Sequence, residues 1–142
     1  MTTNSESAVE TRILDIDTNG FQIALETEQA NRRKHGSESV AYIAWEPSAG
    51  ELNGRLRLEV AETVPEVTDA PYPLDYLSAF DSIPVLLADM QTATSSNTAN
   101  LRWRNKDRYS VELWIDEEAP RNPETNHPAE AVGYILIEDI GQ

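Results

Sequence analysis

The sequence predicts an all-β fold: an antiparallel β-sandwich built from an imperfect internal duplication. Apolar and polar residues alternate in short runs, which is typical of strands, and no apolar helical period exceeds two turns. The motif His-x-x-Glu-x-Val-x-Tyr-Ile occurs twice, at residues 35–43 and 127–135. Each copy begins with one of the only two histidines in the chain. Short strands combined with a repeated motif indicate a sandwich made of two related segments.

The first part of the chain predicts a tail, a hairpin, a loop and a strand. Residues 1–11 are polar and predict a flexible N-terminal tail. The alternating runs on either side of Asn19-Gly20 predict a hairpin, because this dipeptide favours a tight turn between strands. The polar stretch 27–37 predicts a loop, and residues 38–46 form a strand pattern that is apolar on both faces. Such a strand belongs in the middle of a sandwich.

The remaining chain predicts further strands separated by irregular segments. Alternating or apolar runs predict strands at residues 55–60, 83–90, 99–104, 109–115 and 129–138. In the first of these, Leu56, Leu58 and Val60 are expected to face the core. Residues 61–75 contain three prolines and predict an irregular connection, because proline cannot donate a hydrogen bond within a sheet. Residues 116–128 are acidic and predict a long loop.

The similarity between the two segments extends beyond the motif. Apolar positions pair at an offset of 88 residues: Ile13/Leu101, Phe21/Tyr109, Ile23/Val111 and Leu25/Leu113. The motif repeats at an offset of 92, from His35 to His127, so the second loop is expected to be four residues longer. We therefore expect residues 12–142 to form a single domain in which segments 12–46 and 100–138 occupy equivalent positions. Tyr42 and Tyr134 are both expected to be buried.

The composition excludes several classes of function. The chain has 142 residues, of which 39% are hydrophobic, and fits one globular domain. Its 25 acidic and 11 basic residues give a formal net charge of −14, which disfavours binding to nucleic acid or to anionic membranes. No apolar run reaches the ~18 residues of a membrane-spanning helix, so membrane insertion is not expected. An acidic surface with only two lysines suits a salty medium or a protein that collects divalent cations.

Catalysis and thiol chemistry are not expected. Cysteine is absent, which excludes a disulfide framework. The sequence contains no Gly-x-Ser-x-Gly, no phosphate-binding glycine loop and no His-Glu-x-x-His, so we predict that the protein is not an enzyme and assign no catalytic residue. The N-terminus also lacks the basic and apolar parts of a signal peptide, so this chain is expected to carry no export signal.

The repeated motif has two interpretations, and both remain open. In the first, His35 and His127 anchor their loops, each with its ring near the glutamate three positions later, because imidazole can both donate and accept hydrogen bonds. In the second, the acidic loop of the second copy binds a cation. Oxygen-rich clusters suit Ca²⁺, and histidine favours a transition metal. The predicted metal ligands are Glu117, Glu118, Glu124, His127 and Glu130.

The second half of the chain resembles the H-type lectin-like β-sandwich, and in particular the repeat modules of that type in large surface and secreted bacterial proteins. The residues that carry the resemblance are Pro84, Val85, Gln91, Thr92, Arg102, Tyr109, Val111, Glu117, Glu118, His127, Glu130, Val132, Gly133, Tyr134 and Ile135. The first copy resembles only the latter part of such a module. The resemblance implies a six-stranded antiparallel sandwich and an extracellular or cell-surface location. In the animal and amoebal lectins it also implies homotrimers that bind N-acetylgalactosamine or galactose near subunit contacts.

Together these observations predict a non-catalytic binding module for carbohydrate or a cell-surface glycan. The predicted ligand-binding residues are Trp103, Trp114, Arg102 and Arg104, since large aromatic side chains can stack on a sugar ring. The alternative is a structural or adhesin repeat module whose acidic loops bind calcium. No other cofactor is expected.

Overall fold

The computed structural model describes residues 9–27, 35–117 and 126–141. Every regular element in these ranges is a strand, so the predicted all-β class is confirmed. The strands are β1 Val9–Leu14, β2 Gln22–Thr27, β3 Ser48–Leu52, β4 Leu56–Glu62, β5 Tyr72–Asp75, β6 Val85–Met90, β7 Ala99–Arg104, β8 Ser110–Glu117 and β9 Val132–Asp139. The described ranges contain no helix with the length and hydropathy needed to cross a membrane.

The strands form two facing sheets and a separate hairpin. The main sheet has the strand order β3-β4-β9-β6, and the small sheet has the order β5-β8-β7. All pairs are antiparallel. β9 is a central strand, because it is hydrogen-bonded to β4 on one side and to β6 on the other. Among the described strands, β1 and β2 pair only with each other.

The hydrophobic core lies between the main sheet and the small sheet. Every second residue of a strand points to the same face, so β8 and β9 each present an alternating set of apolar side chains to this core. These residues are Val111, Leu113 and Ile115 of β8, and Val132, Tyr134 and Leu136 of β9. Leu113 and Leu136 are fully buried, and burial of one leucine side chain contributes about 1.5–3 kcal/mol to stability.

β4 turns a different face to the core than the sequence predicts. Its register pairs Glu59 with Leu136, so Glu59 faces the small sheet. Leu56, Leu58 and Val60 therefore lie on the opposite face of the main sheet from this core. The predicted burial is confirmed for Leu58 and Val60, which are 9% and 7% exposed, whereas the expectation that these residues face the core is wrong. Glu59 is tolerated in the interior because its carboxylate accepts hydrogen bonds from the Tyr134 hydroxyl at 3.0 Å and the Leu77 amide at 2.9 Å.

The β1–β2 hairpin and the β7–β8 hairpin are the same structure at an offset of 90 residues. Val9–Leu14 corresponds to Ala99–Arg104, and the pair Leu14↔Gln22 corresponds to Arg104↔Glu112. The predicted offset of 88 is therefore wrong by two residues, which keeps the alternation of faces but shifts every partner. The structurally equivalent pairs are Ile13/Trp103, Phe21/Val111, Ile23/Leu113 and Leu25/Ile115.

The two hairpins also share their turn. The residue after each first strand, Asp15 or Asn105, has a positive φ of 51° or 52°. Two positions later, Asp17 accepts hydrogen bonds from two backbone amides at 2.6 and 3.0 Å, and Asp107 accepts the same pair at 2.7 and 2.9 Å. These backbone hydrogen bonds hold the pKa of both carboxyls below the usual range.

A cross-strand ion pair is repeated as well, in two different environments. Arg12 Nε donates to Glu26 at 2.7 Å, and the equivalent Arg102 Nε donates to Asp116 at 3.2 Å. The Arg102 pair is exposed. Arg12 is buried, because the first hairpin lies against the β6–β7 connection, where Arg12 Nη2 also donates to the Asn97 carbonyl at 3.0 Å.

The structure contradicts the predicted strand at residues 38–46. Residues 36–46 form no regular element, and no described strand pairs with them. Tyr134 is 6% exposed, as predicted, whereas Tyr42 is 65% exposed, so the prediction that both tyrosines are buried is wrong for Tyr42. Its ring contacts Phe21 edge-on, with 5.0 Å between the ring centroids. The physical reason is that β9 lies between two strands, and residues 38–46 do not.

Two strands and the number of strands also differ from the sequence analysis. β1 includes residues 9–11, which the pattern assigns to the tail. β5 lies inside the predicted irregular connection 61–75 and tolerates Pro73 because it is an edge strand of the small sheet. The two facing sheets contain seven strands, not the six that the family resemblance implies.

Candidate functional site

The second copy of the motif forms a buried polar cluster around His127. β8 ends at Glu117, the chain returns to the sheet at residues 126–131, and β9 begins at Val132, which brings the ring between two carboxylates. Nδ1 of His127 lies 2.7 Å from Oε1 of Glu117, and Nε2 lies 3.2 Å from Oε1 of Glu130. All three side chains are at most 1% exposed. A ring protonated on both nitrogens can donate to both carboxylates.

Glu130 is held by donors from a second loop. It accepts hydrogen bonds from the Thr92 hydroxyl, from the Thr94 amide at 2.8 Å and from the Thr94 hydroxyl at 2.8 Å. Burial alone would raise the pKa of this carboxyl. The hydrogen bonds from Thr92, Thr94 and His127 outweigh burial and lower the pKa below its usual range. Glu130 is therefore ionised at neutral pH despite being buried.

This His127 cluster joins four segments of the chain. Thr92 also accepts a hydrogen bond from the Ala131 amide at 2.9 Å, and the Glu130 backbone pairs with Val67. The cluster thus connects the end of β8, the start of β9, the β6–β7 connection and the segment after β4. For His127, the predicted contact with the glutamate three positions later is confirmed, and Glu117 is a second partner that the motif alone does not indicate.

The predicted metal site is only partly within the described ranges. Glu118 and Glu124 lie outside the described residues, whereas Glu117, His127 and Glu130 lie together. Among the residues that the structure describes, no group of three or more histidine, aspartate or glutamate side chains is placed to hold a metal ion. Both ring nitrogens of His127 already face carboxylates, so metal ligation there would require rearrangement. Calcium binding remains a prediction.

His35 makes the corresponding contact in the first copy with one partner changed. Its Nε2 lies 3.7 Å from Oε1 of Glu38, so the predicted proximity is confirmed. Its Nδ1 lies 2.8 Å from the Gly36 carbonyl instead of a glutamate. At the end of β2, Thr27 stands where Glu117 stands at the end of β8. At this position the first copy therefore has a hydroxyl in place of the carboxylate that faces His127 in the second.

The structure brings together three of the four predicted ligand-binding residues. Arg102 is paired directly with Trp114, and the guanidinium carbon of Arg104 lies 5.5 Å from the centroid of the Trp114 ring. These three side chains share the outer face of the small sheet. Trp103 lies on the other face, because it pairs with the buried Leu113. It is still 53% exposed at the edge of the sheet, where Lys106 Nζ lies 5.2 Å from its ring centroid.

Two acidic residues on the outer face complete this Trp114 surface. Arg104 Nε donates to Glu112, and Arg102 Nε donates to Asp116 at 3.2 Å. The pKa of Glu112 is lowered, and the hydrogen bond from Arg104 is the largest cause. Period-two alternation around Trp114 would have identified both acidic residues from the sequence, since they occupy the positions two before and two after it.

Sequence reasoning missed another buried carboxylate, at the end of β9. Glu138 is 4% exposed and accepts hydrogen bonds from the Ser82 hydroxyl at 2.6 Å, the Asp81 amide at 3.3 Å and Arg57 Nη1 at 3.3 Å. The hydrogen bonds from Ser82 contribute most to lowering its pKa. The only sequence signal was its conservation between the two copies, as Glu46 and Glu138.

One known protein is similar to nearly the whole chain. Halomucin from Haloquadratum walsbyi (strain DSM 16790 / HBSQ001) is 29% identical over 138 residues, which cover 94% of this chain. The same region is 1% of Halomucin, so the chain spans a very small part of that protein's length. No protein-family model matches the chain. No solved structure matches it either.

Proposed function

We propose that this chain is a non-catalytic, lectin-like module that binds carbohydrate at the outer face of the small sheet, in a surface or secreted context. The observation that carries this proposal is the Trp114 surface. The Trp114 indole lies there next to the guanidinium group of Arg104 and directly across from Arg102, with Glu112 and Asp116 on the same face.

The chemistry of this surface suits a sugar. The C–H face of a pyranose can pack on an indole ring, while guanidinium and carboxylate groups at the ring edge can hydrogen-bond its hydroxyls. The ion pair between Arg102 and Asp116 is more than half exposed, and such pairs contribute about 0–1 kcal/mol. Replacing it with hydrogen bonds to a ligand therefore costs little.

The surface context is supported by two independent similarities. The chain resembles lectin-like repeat modules of surface and secreted proteins, and its sequence is similar to a short region of Halomucin. The net charge of −14 suits a salty medium, where screening reduces repulsion between the carboxylates. The lectin resemblance extends the proposal to a homotrimer, which sedimentation equilibrium would test.

A glycan array tests the proposal, with the full chain applied in the presence of calcium and again with a chelator. We expect binding to galactose- or N-acetylgalactosamine-terminated glycans, and Trp114→Ala should weaken it about tenfold, since an aromatic stack contributes ~1 kcal/mol beyond buried area. Trp103→Ala is the matched control, because its ring lies on the other face, and it should bind like the wild type. No bound glycan, or equal loss in both variants, would refute the proposal.

The second candidate function is a structural repeat module with acidic loops that bind calcium. The observation that favours a repeat is the identity of the two hairpins in register, turn and cross-strand ion pair. If calcium binds, the thermal midpoint should rise with calcium concentration by simple mass action. A midpoint that does not change between chelator and millimolar calcium would remove the calcium part of this candidate.

A further inference from the structure

The first copy is complete in every feature that depends on local contacts. Its hairpin has the register, the positive φ and the aspartate-capped turn of β7–β8. The contact between His35 and Glu38 repeats the contact between His127 and Glu130. The main difference is in the third strand, because residues 40–46 pair with no described strand.

In the second copy, the third strand is β9, and it is paired on both sides. β9 forms ladders with β4 and with β6, and both ladders run through Tyr134. The equivalent Tyr42 is 65% exposed, and its neighbours Ile43 and Trp45 are 65% and 48% exposed. Three large apolar side chains in one unpaired segment form an exposed surface of the kind that marks an interaction site.

The charges in this segment indicate the kind of partner. Glu138 at the end of β9 is satisfied by Arg57 of β4 and by Ser82, which precedes β6. Glu46 occupies the equivalent position and is exposed. Within the part of the chain that the structure describes, its carboxylate makes no hydrogen bond or ion pair. A segment with the β4 and β6 sequence pattern would supply both donors.

The segment also borders an open apolar groove of about 570 Å³. One side of the groove is formed by residues 40–45 and the first hairpin, including Ile13 and Ile23, and the other side by the outer face of the main sheet, including Val60 and Ile135. The first copy thus lies against the complete sandwich without closing the space between them. The apolar segment 40–46 therefore has room beside it for further polypeptide.

We infer that residues 9–46 are the last three strands of a second, incomplete sandwich, and that residues 40–46 form a strand site for two strands of the β4 and β6 type supplied by polypeptide ahead of residue 9. Chain order supports this source, because β4 and β6 both precede β7 and only residues 91–98 connect β6 to β7. The similar region of Halomucin is 1% of that protein, which leaves room there for neighbouring modules. This inference does not depend on carbohydrate binding.

A chain extended at its N-terminus tests the inference. A copy of residues 48–98 is joined directly to Val9, which stands where Ala99 stands, so that every strand of a complete sandwich precedes residue 47. Amide hydrogen exchange followed by NMR is the measurement. In the original chain, amides 40–46 should exchange like an unstructured segment. In the extended chain they should be protected at least about 100-fold more, like those of β9.

The control is the same extension with Leu58→Pro and Ala61→Pro in the added copy only, since both residues lie in β4, which has a neighbour on each side, and proline in a central strand prevents pairing. It should leave residues 40–46 unprotected. Protection in the control equal to that in the extended chain would overturn the inference. So would an extended chain in which residues 40–46 stay unprotected, whether or not the added strands fold, because that chain contains every strand of a sandwich.

A second copy of this chain is the competing occupant, and sedimentation equilibrium distinguishes it. If the original chain dimerises and residues 40–46 become protected in step with dimer formation, the site belongs to a second copy and the inference is overturned. Residues 40–46 that stay unprotected in every state of association support it. Glycan binding is measured separately at the Trp114 surface. If no glycan binds, the hydrogen-exchange result for residues 40–46 can still be interpreted.

Discussion

The two copies of the repeated segment have the same local structure, but their third segments differ in strand pairing and in burial. Both form a hairpin with an aspartate-capped turn, and both place a histidine beside the glutamate three residues later. One continues into the most buried strand of the main sheet, and the other continues into an exposed segment without strand pairing. Sequence similarity therefore predicts what a segment can form locally. Whether it becomes a strand depends on partners that are distant in the chain.

The largest difference between the copies should appear at the equivalent tyrosines. Tyr134→Ala removes a core ring and should destabilise the protein by about 3–5 kcal/mol, as for other buried aromatic residues. Tyr42→Ala removes an exposed ring and should change stability by less than ~0.5 kcal/mol. Urea unfolding curves of both variants measure this. Comparable losses would show that residues 40–46 pack in solution, and would remove the distinction between the copies.

The second largest difference between the copies should appear at the equivalent arginines, Arg12 and Arg102. Arg12→Met leaves Glu26 and Glu10 without a buried partner, and breaking a buried ion pair costs about 3 kcal/mol. Arg102→Met removes only an exposed pair with Asp116, at a cost of about 0–1 kcal/mol. Amide exchange in β1 and in β7 reports each hairpin separately. Equal protection losses in the two variants would mean that the first hairpin does not stay docked.

The pH dependence of the two copies should have opposite signs. Burial raises the pKa of Glu10 from 4.5 to about 7, so its contribution is fully present below the unfolded value and is lost as pH rises through about 7. The hydrogen bonds to Glu130 lower its pKa, so its contribution is present above the unfolded value near ~4.3 and is lost as pH falls through the folded pKa. Amide protection of β1 should therefore fall as pH rises from 4.5 to 7, while that of β9 should fall only in acid.

Two variants separate these contributions. Glu10→Gln should flatten the pH dependence of β1 and leave that of β9 unchanged. Glu130→Gln should do the reverse, and should also weaken β9 at neutral pH because the amide replaces the carboxylate that faces Nε2 of His127. The assignment fails if either variant changes both profiles.

The smallest effect should be the same in both copies. Asp17→Ala and Asp107→Ala each remove two hydrogen bonds from backbone amides in an equivalent turn. Each should lower the protection of its own hairpin amides by a similar factor. Asn in place of either aspartate should restore most of the loss, since its side-chain oxygen accepts the same bonds. A large effect in only one copy would contradict the structural equivalence.

The sequence was sufficient for the features that follow from local patterns. Alternation and the Asn-Gly turn predicted the first hairpin, and the motif predicted that His127 would contact Glu130. The interior position of Glu59 could not be predicted, because the alternation of residues 56–60 places Leu56, Leu58 and Val60 on the apolar face, and only the register with β9 shows that Glu59 faces the small sheet. The contact between Glu117 and His127 depends on where β8 ends. The sequence does not show this end, because Glu117 is one of several acidic residues in a row.

The offset between the hairpins shows why the sequence predicted the duplication but not its exact alignment. Apolar residues matched at 88 because strands have a period of two, so a shift of two residues preserves the pattern. The turn residues decide the true offset, through the positive φ of Asp15 and Asn105 and the caps of Asp17 and Asp107. Turn chemistry was therefore a better guide to register than hydrophobicity.

The order of strands in the main sheet has a mechanical consequence. β3 and β9 point in the same direction, because each is antiparallel to β4. The start of β3 and the end of β9 therefore lie at opposite ends of the sheet. A tension applied through residues 48 and 139 acts along the strands, while the ladder hydrogen bonds lie across them. The bonds of β3 with β4 and of β4 with β9 would then share the load in shear, instead of opening one after another.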